Sequence, residues 1–304
     1  MVEHREVALN WDDLRFLLAL RREGSLGAAA RSLKVEASTA SRRLAALEAA
    51  LGAQLASRTP EGLVLNEAGL LASDLAETMD RGVNELLGRI AGEDQRAEGT
   101  VRLTTTESMA VFLMRGLVSL REEHPKIQVE LVLSSIALDL TRCEADIAVR
   151  FFRETNPNLV ARKVVDLGWS VYASRDYVER KGIVPGPDVA LGDLSVVGYK
   201  EPVTRAPGAV WLAANTRPQQ IVLTGDSVAA VLNAVRAGMG VSALPCFSVA
   251  DEPTLVRLTP AVVAKGEIFL VLPPNHHDTR RVRLVLDSLV ALFERERERL
   301  AGTA

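Results

Sequence analysis

The amino-acid sequence predicts a multi-domain α+β chain: a small helical module first, then one long helix, then an α/β domain. Three observations predict it. Residues 11–51 carry apolar residues at helical spacing, 66–91 repeat that spacing over a longer stretch, and from 99 onward strand-like and helix-like segments alternate. The polar, glycine-bounded segment Gly92-Glu93-Asp94-Gln95-Arg96-Ala97-Glu98-Gly99 separates the last two and reads as a hinge.

The first helix is predicted from Trp11 to about Arg22, capped by Asn10, with Asp12 and Asp13 in the first turn, where the helix dipole favours anions. Its buried stripe takes in Leu14, Leu17 and Leu18, with Phe16 beside them. Ser25 opens a second, short helix. There Ala28, Ala29 and Ala30 give strong helix propensity and little bulk, and Leu33 falls on the face of Ala29. Small residues let a neighbouring helix approach closely. A third helix runs from Glu36 or Ala37 to Leu51, with Ala40, Leu44, Leu47 and Leu51 on one stripe and Gly52 at the expected left-handed C-terminus.

The opposite face of that third helix carries Ser38, Thr39, Ser41, Arg42 and Arg43. Hydroxyls bond to phosphates or base edges, and arginine pairs in bidentate fashion with guanine in the major groove. Between residues 31 and 58, five basic residues (Arg31, Lys34, Arg42, Arg43, Arg58) face only Glu36 and Glu48, in a chain whose net charge is −3. A basic patch on an otherwise acidic protein is the electrostatic footprint of DNA contact. A plain alanine-rich hairpin with solvated arginines would account for the arginine pair but not for the whole constellation.

After Gly52, Gln54–Arg58 and Leu63–Leu65 read as two strands around the turn Pro60-Glu61-Gly62, which makes a wing. Asn66 then caps a long helix to about Ala91, with the stripe Leu71, Leu75, Met79, Val83, Leu86 and Ile90. A single apolar stripe on a long helix needs a partner, either its own domain or a second copy. Gly82 and Gly88 lower its intrinsic stability.

Beyond the hinge, strands are predicted at Val101–Thr105, Ile127–Leu133, Asp146–Arg150, Leu167–Ala173, Ser195–Tyr199, Gln220–Leu223, Val241–Leu244 and Glu267–Leu272. Helices are predicted from Ser108 to about His124, near Arg175–Lys181, from Asp226 to about Arg236, and over about Thr279–Leu300. This alternation implies a sheet covered by helices on both faces.

Bulk properties narrow the class. With 304 residues and 48% hydrophobic content, two or three modules can each bury a core. No run reaches the length of a membrane span, and the N-terminus (Met1-Val2-Glu3-His4-Arg5-Glu6) carries no apolar signal segment, so the expected location is the cytoplasm. Cys143 and Cys246 lie far apart and form no C-x-x-C, which fits two buried or neutral thiols. His4, His124, His276 and His277 have no metal-ligand spacing, and neither metal nor cofactor is expected.

Residues 11–90 resemble the DNA-binding region of the LysR-type transcriptional regulators. The resemblance rests on Phe16, Gly24-Ser25, Ala28-Ala29, Leu33, Ser38, Ser41-Arg42, Leu47-Glu48, Leu51-Gly52, Leu55, Arg58, Leu65 and Glu67-Ala68-Gly69. Three positions depart from the family: Ala37 stands where a glutamine is usual, Ala56 where a phenylalanine is usual, and Glu61 puts an acid at the wing tip. The likeness continues in Gly99–Leu103, His124-Pro125, Asp146–Arg150 and Gly238–Pro245, which are similar to the family's effector domain.

The resemblance implies a winged helix-turn-helix over 1–66, a linker and dimerisation helix over 67–91, a hinge over 92–97, and a two-lobed, periplasmic-binding-protein-like α/β effector domain over 98–304. Lobe one would be 98–164 plus 267–304, and lobe two 165–266. It implies a sequence-specific regulator, not an enzyme, acting as a dimer or tetramer on a double-stranded DNA operator in response to a small molecule. DNA contacts would come from Ser38, Thr39, Ser41, Arg42 and Arg43, with Lys34 and the wing's Arg58 beside them. Pairing of the long helices would place two recognition helices on consecutive half-sites. For the effector, two helix N-termini carry hydroxyls: Thr105-Thr106-Glu107-Ser108 and Thr224-Gly225-Asp226-Ser227. With Arg150 at a strand end they could hold a carboxylate-bearing metabolite. Thr106, Ser108, Arg150, Asp226 and Ser227 are the candidates, with Ser135 and Tyr199 added. The hydroxyls and Asp226 would serve equally as helix caps.

Two enzyme-like patterns compete. Gly238-Met-Gly240-Val-Ser-Ala243 fits a dinucleotide fingerprint, but it follows a helix where that motif must follow a strand. Gly225-Asp-Ser227-Val-Ala229 approaches a nucleophile elbow, with Asp251 and His276 in triad order. Its fifth position is alanine, no glycine-rich oxyanion segment precedes it, and it leaves the first ninety residues unexplained. A constitutive DNA-binding oligomer with no effector is the remaining alternative.

Overall fold

The structure is a computed structural model. It describes residues 9–59, 62–90, 96–134, 138, 140, 144–187, 189–274 and 279–303, with the backbone alone at 37, 58, 59, 62, 84, 85 and 87–90. The chain divides into two compact units, Met1–Glu93 and Asp94–Ala304.

The first unit holds α1 (Trp11–Glu23), α2 (Leu26–Ser32), α3 (Ala37–Leu51), β1 (Ala56–Thr59), β2 (Gly62–Leu65) and α4 (Glu67–Ile90). Side chains mark three of its helix starts. Asn10 accepts the Asp12 N–H at 2.9 Å, Ser25 accepts the Ala28 N–H at 3.2 Å, and Asn66 accepts the Gly69 N–H at 2.9 Å. Gly24 and Gly52 end α1 and α3 at φ +70° and +67°, the left-handed cap that glycine adopts without strain.

The wing is an antiparallel pair, Ala56 opposite Leu65 and Arg58 opposite Leu63. It starts two residues later than the sequence suggests, because Leu55 is engaged elsewhere. The Leu55 N–H bonds to Glu48 Oε1 at 2.8 Å, and its carbonyl accepts the Asn66 N–H at 3.0 Å. The same carbonyl packs on α4 so closely that a Cβ at Gly69 would stand 2.0 Å from it.

Phe16, Leu17, Leu47 and Leu55 are the largest fully buried side chains of this core, joined by Leu14, Leu18, Ala29, Ala40, Leu44 and Ala76. Leu51, expected on the buried stripe of α3, is exposed at the last turn, beyond the reach of that core. One face of α4, with Ala72, Ser73 and Ala76, packs inward. Arg21 ties that face to α1, donating to Ser73 Oγ at 2.9 Å and pairing with Asp74.

The second unit holds β3 (Gly99–Thr105), α5 (Glu107–Glu123), β4 (Ile127–Leu133), β5 (Ile147–Arg150), β6 (Val160–Ser174), α6 (Arg175–Lys181), β7 (Val196–Tyr199), α7 (Pro207–Asn215), β8 (Ile221–Gly225), α8 (Val228–Arg236), β9 (Ser242–Pro245), α9 (Cys246–Val249), β10 (Leu255–Arg257), β11 (Ala264–Leu272), α10 (Arg280–Arg295) and α11 (Arg297–Ala301). Its main sheet runs β10-β6-β11-β5-β3-β4, with β9 also on β6. β3 lies parallel to β4 and β5, whereas β11 runs antiparallel to β5 and β6. β7 and β8 form a separate parallel pair.

Several elements differ from expectation. β6 is fifteen residues long, starting at Val160, and pairs with β11 from Ala264 to Leu272 across one register shift. The expected lobe boundaries at 164/165 and 266/267 lie within β6 and β11, and an arrangement of two lobes joined by two crossing strands is compatible with that. The last helix breaks at Glu296 into α10 and α11. α7 was not anticipated: it opens on Pro207, is apolar nearly throughout, and so lacks an amphipathic stripe. The Gly238-x-Gly240 turn joins α8 to β9, and a Cβ at Gly240 would stand 2.4 Å from the Ser195 carbonyl oxygen, so close approach of backbones explains that glycine. α5 and α10 cover one region of the sheet with Met109, Phe112, Leu113, Val285, Leu289, Leu292 and Phe293.

Candidate functional site

Two sites emerge, one in each unit. The first is the outer face of α3. Ser38, Ser41 and Arg42 are exposed on it, Thr39 is half-buried, and Lys34 is exposed in the turn before it. Among the described residues, no hydrogen bond or ion pair engages these five side chains. Lys34 takes φ +54°, the only non-glycine residue with positive φ among those described. That conformation lets the chain turn sharply: the Lys34 N–H bonds to the Arg31 carbonyl at 3.1 Å and the Val35 N–H to the Ala30 carbonyl at 2.9 Å.

Arg43 behaves differently from its neighbour. Its guanidinium folds back onto α1, with Nη1 3.2 Å from Asp13 Oδ1 and Nη2 3.7 Å from Asp12 Oδ2. It is a tie between α3 and α1, not a free cation on the outer face of α3. Arg58 lies in β1, but its side chain, like those of Ala37 and Ile90, is outside what the structure describes, as are Pro60 and Glu61.

α4 presents an apolar face to solvent: Leu71, Leu75, Met79, Val83 and Leu86 are 73, 50, 40, 42 and 57% exposed. The stripe expected from the sequence is therefore not the face that packs on α1.

The second site is a cavity of about 550 Å³ in the second unit. It gathers the C-terminal ends of β3 and β5, the start of α5, and parts of β6, β11 and the segment before α7. Arg150 ends β5 with only 5% of its surface exposed, donates from Nη2 to the Leu138 carbonyl at 2.5 Å, and lies 5.5 Å from the Phe152 ring centroid. Thr106 takes the cap position of α5 without capping it: its hydroxyl instead lies 3.5 Å from Ser108 Oγ. The uncapped N–H groups and dipole of that helix favour an anion beside Arg150. The walls are mostly hydrocarbon, with Phe151, Trp169, Phe247, Val203 and Val228 among them.

Of the expected effector residues, Thr106, Ser108 and Arg150 come together there. Three do not. Ser227 caps α8 by accepting the Ala230 N–H at 3.2 Å. Asp226 is exposed and sits 3.8 Å from Lys200 Nζ. Tyr199 donates its hydroxyl to the Ala243 carbonyl at 2.7 Å, and burial pushes its phenol pKa up. Ser135 lies outside the described residues, although its neighbour Ser134 lines the cavity. The aromatic walls were missed because an isolated Phe or Trp in a strand reads as core; the run Arg150-Phe151-Phe152, charge then rings at a strand end, was the available signal.

No hydrolytic triad assembles among the described residues: Asp251 is ion-paired to Arg115 and Arg299, and His276 is not described. Nor does any group of His, Cys, Asp and Glu there have the arrangement of a metal site. Cys246 is buried and burial raises its thiol pKa, while Cys143, His4 and His277 are not described. No described helix is long and apolar enough to cross a membrane.

A winged helix-turn-helix followed by an α/β unit with a partly open cavity defines a DNA-binding regulator with a ligand domain. The comparisons identify which one. The family model for the bacterial regulatory helix-turn-helix protein, lysR family, matches residues 11–70, and that for the LysR substrate binding domain matches residues 94–294. The chain belongs to the LysR family of transcriptional regulators, a family of regulators and not of enzymes. An HTH-type transcriptional regulator of Xanthomonas campestris pv. campestris is 33% identical over 178 residues, 58% of this chain and 52% of that one, so this chain spans about half of that relative. The Mau operon transcriptional activator of Paracoccus denitrificans is 29% identical over 97% of this chain and 100% of its own. Among solved structures, the full-length Vibrio cholerae virulence activator AphB shares the fold at TM-score 0.56 and 20% identity, covering 93% of this chain and 99% of that one. CrgA of Neisseria meningitidis does so at TM-score 0.54 and 24% identity, covering 94% and 99%.

Proposed function

We propose that this regulator binds its operator as a dimer and is switched by a small carboxylate-bearing effector held in the cavity of its second unit. The observation that carries the reading is a buried arginine, Arg150, in a cavity of about 550 Å³ with largely apolar walls. A carboxylate against Arg150 and the start of α5 would add charge-assisted hydrogen bonds to those that Arg150 already makes. The volume suits a metabolite-sized ligand.

On DNA, Ser38, Thr39, Ser41 and Arg42 enter the major groove, while Lys34 and Arg58 contact phosphates. Arg43 holds α3 against α1. The exposed face Leu71, Leu75, Met79, Val83 and Leu86 is the pairing surface, together with Ile90 of the same stripe. A two-fold axis through paired α4 helices supports binding to a pseudo-palindromic site. A protein with this task works in the cytoplasm.

The test is a footprint on the intergenic DNA upstream of its own gene, over a salt series and with single carboxylic acids added. A bounded, two-part protected site that persists as salt rises, with an edge that shifts on adding an acid, is the expected result. A bounded site that no acid alters would favour the constitutive DNA-binding oligomer instead.

A further inference from the structure

We infer that Trp169 reads the effector: its indole N–H donates to an oxygen acceptor on the ligand, remote from the carboxylate. This rests on the reading of the cavity as a carboxylate site.

Trp169 lies on β6, lines the cavity, and is 3% exposed. Its Nε1–H is buried with no acceptor among the described residues. Buried tryptophan N–H groups normally find an acceptor, so an orphan beside a ligand cavity points to a partner that arrives with the ligand. The ring cannot turn away easily. Gly208 of α7 lies flat on it, so that a Cβ there would stand 2.1 Å from Cε3, and Tyr199 meets it edge to face with centroids 6.4 Å apart. Gly266, another lining residue, leaves the approach to the N–H open, because a Cβ at that position would stand 3.8 Å from Nε1.

The sheet register sets the spacing. Arg150 pairs opposite Phe269 and Trp169 opposite Ala264, five positions apart along β11. That separates their backbones by roughly 16 Å along the strand, and both residues line the one cavity. The ligand class that fits is a flat, apolar carboxylic acid, its ring against Phe151 and Phe247, with a second, neutral oxygen at the far end.

Methoxyphenylacetates and their ethyl counterparts test this, since each pair differs in an acceptor oxygen but barely in shape. The ortho, meta and para isomers cover the position of the oxygen. Binding to the full-length chain is measured by calorimetry, and the indole N–H signals of the three tryptophans are followed by NMR, with that of Trp169 assigned by its loss in Trp169→Phe. For at least one isomer the methoxy acid should bind about three- to tenfold more tightly than the ethyl acid, with a downfield shift of the Trp169 indole proton that the ethyl acid does not produce. Trp169→Phe should erase that preference while still binding the ethyl acid. Equal affinities within all three pairs, a shift common to both members, or a preference that survives in Trp169→Phe would overturn the proposal and leave the carboxylate site standing. If no acid of either series binds, or if binding is indifferent to Arg150→Gln, the carboxylate reading itself fails and the proposal with it.

Discussion

Arg42 and Arg43 are adjacent on the same helix, yet only Arg43 is tied to α1, and on the proposed reading a pair of alanine substitutions separates their tasks. Arg43 Nη1 lies 3.2 Å from Asp13 Oδ1, and the two side chains are 27% and 13% exposed. A fully exposed pair contributes roughly 0.2–1 kcal/mol, and this one is better shielded than that. Arg43→Ala also leaves Asp13 half-buried without its hydrogen bond, an added cost of about 1 kcal/mol. The total of about 1–2 kcal/mol should lower the melting temperature of a unit of this size by about 4–8 °C per kcal/mol. Arg42 is exposed and makes no such contact, so Arg42→Ala should leave the melting temperature almost unchanged.

Salt dependence gives the opposite ranking. A basic side chain that neutralises a phosphate contributes about 0.9 to the slope of log K against log salt. Arg42→Ala should reduce that slope by about 0.9 if its guanidinium neutralises a backbone phosphate as well as reaching bases, whereas Arg43→Ala should lower affinity at every salt concentration with the slope preserved. Calorimetric melting and fluorescence anisotropy on one duplex over a salt series measure both quantities. If Arg43→Ala flattened the slope and left the melting temperature untouched, Arg43 would be a DNA contact and its ion pair with Asp13 incidental.

Three further outcomes are expected. Lys34→Gly relieves a φ of +54° and should stabilise the first unit by a few tenths to about 1 kcal/mol, while reducing the salt slope of DNA binding by about 0.9; denaturant titration and anisotropy check the two effects. Leu75→Glu places a charge on the exposed apolar face of α4 and should weaken self-association by at least about 2 kcal/mol, seen as a lower mass in light scattering with the melting temperature of the first unit unchanged. The Asp251 carboxylate is held below its usual 3.8 by hydrogen bonding to Arg299 and by the charge of Arg115. Its contribution to stability is therefore fully present above that usual value and is lost as pH falls through the lower, folded-state value. Asp251→Asn should lower the melting temperature at neutral pH and make its fall in acid less steep, so that the difference from wild type is full above the normal carboxylate range and shrinks as pH drops through it.

What the sequence displayed depended on the range of the interaction. Asn10, Ser25 and Asn66 act on N–H groups two or three residues away, so their capping roles were legible from the order of residues alone. The helical stripes of α1 and α3 were legible for the same reason, because a period needs no partner to be seen. Arg43 was not separable from Arg42, because the acid that claims it lies thirty positions earlier on another helix. The walls of the cavity were invisible for a different reason: Trp169 and Phe247 have the pattern of core residues, and only the tertiary fold brings them into the same cavity as Arg150. α7 escaped notice because a helix apolar on most of its surface has no contrast between faces.

The two hydroxyl-bearing helix starts show how one motif divides between structure and function. α5 and α8 both begin after a short polar run, and in sequence each is an equal candidate for an anion site. In α8 the Ser227 hydroxyl already accepts the Ala230 N–H, so the first turn is satisfied from within. In α5 the Thr106 hydroxyl accepts no backbone N–H, and the helix is nearly twice as long, seventeen residues against nine. Its start also faces a cavity with Arg150 in the wall, and each start carries one acid, Glu107 in α5 and Asp226 beside α8. On the proposed reading a carboxylate ligand would choose the start of α5, and the discrimination comes from whether the chain has left the donors of that turn unclaimed.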